Sequence, residues 1–195
     1  PLHPLEGGGV FVSRYDDALA VYRSPAASSD KKAEFGPKFG ASPLYEHHTT
    51  SLVFNDPPLH TRVPRLIMGP PNQRAITRME AQVARLVDLL LDEMAQKRTV
   101  DFIADFAAQI PIEVVGNLLA IPRPERSPLR AWSIAILSGL EPKLSPGMLD
   151  AGNRAVTEFV AFLKTLIEER KPRPEDPETD VLTRLIQGEK DGERL

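Results

Sequence analysis

Residues 56–66 read Asp-Pro-Pro-Leu-His-Thr-Arg-Val-Pro-Arg-Leu, and this run decides how the rest of the chain is taken. Asp56 is a favoured helix N-cap, and Pro57 suits a first helical position, where no amide hydrogen is needed. A helix is therefore expected to begin here with His60 in its first turns. Free amides and the positive end of the helix dipole favour an anion at such a place. At about 100° per residue, position 64 lies about 40° from His60, while Arg62 and Arg65 lie about 160° and about 140° away. His60 can donate a hydrogen bond to a carboxylate, and neither arginine shares its face.

Upstream, residues 10–15 (VFVSRY) alternate apolar and polar side chains and read as a short strand. Asp16 is expected to cap a short helix that stops before Pro25. From Ser24 to Asn55 the pattern is irregular and rich in Ser, Gly, Pro and Lys. So long a stretch without its own periodicity is more often functional than decorative.

Downstream the chain reads as helix after helix. Met79, Val83, Leu86, Val87, Leu90, Leu91 and Met94 recur at a helical period and are expected to be core. The preceding Pro70-Pro71 pair reads as an interruption. A helix over about 102–119 should kink at Pro111. Ser127-Pro128 signals another helix start, with Trp132, Ile136 and Leu137 following. A longer helix is expected over about 146–170, with Val156, Phe159, Val160, Leu163, Leu166 and Ile167 inward. A proline-rich turn then leads into a last helix, DVLTRLIQG.

Composition narrows the classes. The net charge is -3 with acidic and basic residues interspersed, so nothing resembles a nucleic-acid-binding stripe. No apolar run approaches the roughly 18 residues of a membrane span, and residues 1–9 lack signal-peptide character. A cytoplasmic protein is expected. Cysteine is absent, which removes disulfides, thiolate metal sites and cysteine nucleophiles from these residues. The chain begins on PLHP without methionine and ends on ERL, so a fragment is expected.

The segment D-P-P-x-H-T-R resembles the start of the C helix in bacterial cytochromes P-450, the haem-thiolate monooxygenases. VFVSRYDDALAVYR resembles that family's first strand and B helix, and residues 24–55 resemble its B–C loop, which covers the haem and contacts substrate. FIADFAAQIPIEVVGNLLAIP is similar to the E helix, PERSPLRAW to the entry of the F helix, the next long helix to G, and ETDVLTRLIQ to H. The resemblance implies a mainly α fold with a small β element. Residues 1–195 would then be the N-terminal portion of one haem domain, truncated before the I helix.

What the resemblance implies for chemistry follows from that match. The intact protein would insert one oxygen atom from O2 into a small apolar or aromatic organic substrate. It would use haem b held by a Cys outside this chain, with electrons ultimately from NAD(P)H through a ferredoxin, a flavoprotein or a fused reductase. His60 would bind a haem propionate. The second propionate ligand of the family, an Arg four residues on, is replaced here by Pro64. That proline also removes a helix hydrogen bond, at a cost of roughly 3 kcal/mol if the helix is kept. Arg62 and Arg65 would offer a docking face to an acidic redox partner. Without the thiolate, these residues alone are expected to be inactive. The alternative is a non-catalytic helical binding or regulatory fragment of the same scaffold.

Four further residues are candidates for substrate contact: Leu52, Val53 and Phe54 at the end of the loop, and Leu137 on the F-like helix. Core packing is the competing reading of each. His47 and His48, adjacent in what reads as an exposed loop, are expected to be solvated, and no third ligand at metal spacing follows.

Overall fold

The computed structural model describes residues 1–5, 8–58, 60, 70–177 and 180–188. Two short antiparallel strands, β1 (Leu2–Pro4) and β2 (Val10–Val12), pair with Leu2 opposite Val12 and Pro4 opposite Val10. Only the first three residues of the expected strand over 10–15 take part, and β1 carried no alternation by which to find it. Helix α1 (Tyr15–Arg23) follows directly. Asp16 lies inside its first turn rather than at the cap, where it still faces the positive end of the dipole.

The stretch from Ser24 to Asn55 is not irregular. It folds into α2 (Lys32–Phe39), α3 (Pro43–Thr50) and a 3-10 turn over Leu52–Phe54. Two local devices build it. Phe35 and Phe39, four residues apart on α2, bury one face of that helix. Ser42 caps α3 by accepting a hydrogen bond from the Tyr45 amide (3.2 Å), with Pro43 in the first turn. The buried Asn55 side chain closes the segment by donating to the carbonyls of Thr49 (2.9 Å) and Ser51 (2.7 Å).

Helix α4 (Pro70–Ala95) runs for 26 residues. Pro70 and Pro71 are therefore helical. The apolar stripe of α4 is core only in part, since Leu90 is buried while Leu91 is exposed. The helix expected over 102–119 is interrupted before Pro111, the position at which a kink was expected. A turn of π-helix over Ile103–Ala107, closed by the Ala108 amide on the Ile103 carbonyl (2.9 Å), precedes α5 (Gln109–Leu118). Pro111 sits in the first turn of α5, where its missing amide costs little.

Helix α6 (Ser127–Ser138) starts on Ser127 with Pro128, but Arg126 occupies the cap position and makes no side-chain cap bond. Helix α7 (Pro146–Arg170) matches its expected bounds and is capped by Ser145, which accepts from the Met148 amide (3.2 Å). On it Val156 and Leu166 are buried, whereas Val160 is exposed. Helix α8 (Val181–Gly188) completes the described chain. No helix among the described residues is long and apolar enough to cross a membrane.

Two buried clusters flank α7. The first joins Phe35, Phe39 and Leu44 to Ile136, Ala155 and Val156. The second joins Ile121, Leu129, Leu166 and Leu182. Trp132 and Phe159 lie against both, their rings 5.9 Å apart.

Candidate functional site

His60 is a helical residue with an exposed side chain, and its amide donates to the Asp56 carbonyl (3.3 Å). The Asp56 carboxylate also reaches back along the chain. It accepts from the Ser28 hydroxyl (2.6 Å) and the Ser29 amide (2.8 Å), and so ties the start of the His60 helix back to the segment before α2. Those two hydrogen bonds, the hydroxyl's first, hold its carboxyl below the usual carboxylate range. Arg62, Pro64 and Arg65 lie outside the described residues.

The Leu52–Phe54 turn presents its three side chains differently. Val53 is exposed, whereas Leu52 and Phe54 are half-buried. The Phe54 ring stands edge-on to Phe35 (5.1 Å between centroids) and to His48 (5.7 Å), packed against the cluster that contains Ile136. Leu137, the next residue on α6, is exposed. The turn and α6 therefore meet through one cluster, with Phe54 turned into it and Val53 and Leu137 facing out.

The two histidines are not solvated loop residues. They lie on α3, and His48 is buried among Phe35, Phe39 and Phe54, with ring centroids 5.5 to 5.7 Å away. Its Nε2 has no hydrogen-bond partner. Burial, helped by the neighbouring His47, pushes its pKa down to about 4, against a weaker opposing pull from the Ile136 carbonyl. Burial lowers the pKa of His47 as well. No group of three or more His, Cys, Asp or Glu side chains suited to a metal occurs among the described residues.

A mainly apolar hollow opens between α5, α6 and α7, lined by Ile112, Val115, Leu129, Trp132, Ile136 and Phe159 among others. None of the five expected site residues lines it. It was not legible in the sequence, because it depends on how three separate helices meet.

Polar side chains brace the helices behind it. Arg126 is buried and crosses α5 at Gly116, where a Cβ would stand 2.3 Å from its Nε. It donates to Glu113 (2.8 Å), Asn117 (2.9 Å) and the Ile121 carbonyl (2.9 Å), so each nitrogen of the guanidinium makes a hydrogen bond.

No family model matches the chain. Individual proteins do. A "Cytochrome P450" of Bacillus subtilis is 30% identical over 100% of this chain and 48% of its own length. The epothilone C/D epoxidase of Sorangium cellulosum is 32% identical over 97% of this chain and 46% of its own. The solved structure of epothilone B-bound cytochrome P450epoK superposes with a TM-score of 0.79 at 29% identity, over 100% of this chain and 50% of that one. The chain thus spans about half the length of the curated relatives it matches, and its helices and small sheet take the arrangement of that half. The chain belongs to the cytochrome P450 family, as an N-terminal part of it.

Proposed function

We propose that the intact protein is a haem-dependent monooxygenase that inserts one oxygen atom from O2 into a small apolar or aromatic organic substrate. The observation that carries this reading is likeness over essentially the whole chain to an epoxidase of the family, in sequence and in fold. Haem b, held by a Cys thiolate outside these residues, would supply oxygen activation when bound.

This chain's own residues would do the holding and covering. His60, exposed at the start of its helix, would donate a hydrogen bond to a haem propionate, more strongly when its ring is protonated. Leu52, Val53, Phe54 and Leu137 would offer apolar surface to the substrate and exclude water from it. Residues 24–55 would act as the cover, and α6 and α7 as the part that opens and closes. Electrons, ultimately from NAD(P)H, would arrive through a ferredoxin, a flavoprotein or a fused reductase. Arg62 and Arg65 would face an acidic partner. A cytoplasmic location goes with that supply.

The test for the propionate contact is haem retention in the full-length protein. Replacing His60 by Ala should speed haem loss to an apomyoglobin acceptor without altering the fold. Unchanged retention removes His60 from the site.

A further inference from the structure

Segment 32–54 and the helix pair α6–α7 lie about a hundred positions apart in sequence, yet one side chain joins them. Leu44 is fully buried. It sits over Gly152 of α7, where a Cβ would stand 2.6 Å from Leu44 Cδ1. It also sits over Gly139, just past α6, where a Cβ would stand 3.4 Å from both of its methyl groups. Real Cβ atoms do not approach as closely as the first distance, so the notch exists only because position 152 is glycine. The contact has a polar complement. The Leu44 amide, an orphan donor of the first turn of α3, donates to Asn153 Oδ1 (3.0 Å). At the edge, Lys38 donates to the Glu141 carbonyl (2.9 Å) between α6 and α7.

We propose that Leu44 in this glycine notch is a positioning residue. It fastens segment 32–54, and with it the Leu52–Phe54 turn, to α6–α7 as one rigid piece. The proposed substrate cover then shifts together with those two helices and not as a separate flap. Separating them would expose a close-packed leucine and strand a backbone amide and an asparagine oxygen at once, so the joint is cooperative. The fastening stands on contacts within the chain. Only its consequence for substrate rests on the monooxygenase reading.

Hydrogen exchange followed by mass spectrometry on the full-length protein tests it. Leu44→Ala should raise exchange in residues 43–50 and in 149–156 together, on the order of tenfold, with α8 unchanged. Gly152→Ala should do the same by expelling Leu44. The double variant Leu44→Ala/Gly152→Ala, in which the smaller side chain leaves room for the new methyl, should recover much of the protection. Loss confined to segment 32–54 in either single variant would overturn the proposal, as would simple addition of the two losses in the double variant. If Leu44→Ala does not fold, Asn153→Ala removes only the acceptor and should give the paired loss at smaller amplitude; loss on one side alone again overturns the joint. A reduced-plus-CO spectrum of the same samples keeps the two ideas apart: an absent haem-thiolate band counts against the monooxygenase and leaves the joint standing.

Discussion

The two ends of α7 are held by opposite means. Near its start, Gly152, Ala155 and Val156 receive Leu44, Phe35 and Phe39, and the fit is one of shape, with a neutral buried imidazole in the middle. At its far end, Arg170 and Asp180 form a buried ion pair, Arg170 also donates to the Ala120 carbonyl (3.2 Å), and Asp180 accepts from the Thr183 hydroxyl (2.6 Å). Both ends bring distant segments together, but only the first touches the candidate cover. A shape fit weakens in proportion to the atoms removed from it, whereas a buried charge pair fails badly when halved. The molecule thus keeps its charge-fixed joint away from the proposed substrate side and a close-packed apolar one beside it.

Variants can break this contrast. The largest effect is expected at the charged end. Arg170→Met leaves Asp180 buried without its cation and should destabilise the fold by about 3–5 kcal/mol. Chemical denaturation measures this, and a loss below about 1 kcal/mol would mean that the pair is not a fixed joint. At the apolar end, Leu44→Ala should cost about 2–4 kcal/mol in the same assay, as a large-to-small change in a closed site. An equal or larger loss than at Arg170 would reverse the ranking.

The buried imidazole gives the apolar end a pH signature. The folded-state pKa of His48 is about 4, below the usual value near 6.5, so the unfolded chain binds more protons between those two values. Stability is then fully present above about pH 6.5 and is lost as the pH falls towards about 4, by up to about 3 kcal/mol. His48→Leu should flatten that part of the stability–pH curve. A curve of unchanged slope would show that other groups carry it.

The smallest change is a gain. Ala120 holds φ +47 just after α5, where its amide and that of Ile121 return to the Asn117 and Gly116 carbonyls in a helix-ending turn. That region favours glycine, so Ala120→Gly should stabilise by about 0.5–1 kcal/mol. A loss instead would mean that the Arg170 contact on the Ala120 carbonyl depends on the alanine.

Much of this was legible in the sequence where signals were local. A sustained apolar period marked α7 over about 146–170, and Pro111 signalled an irregular helix whose break falls a few residues earlier. Short elements were harder. Helices α2 and α3 have eight residues each, too few to show a period, and the Ser42-Pro43 start went unread beside a pair of histidines. The burial of His48 could not be read at all, because the rings around it come from Phe35, Phe39 and Phe54 and the surface beneath it from α6. Among the candidate site residues, His60 was named from its motif. Whether Val53 faces out and Phe54 in depends on a 3-10 turn that three residues do not announce.

That this chain forms part of a haem-thiolate monooxygenase is tested most directly by the absorption spectrum of the full-length protein, reduced and exposed to CO. The prediction is the red-shifted Soret band from which the family takes its name. A full-length protein that binds haem without that shift, or binds none, would contradict it.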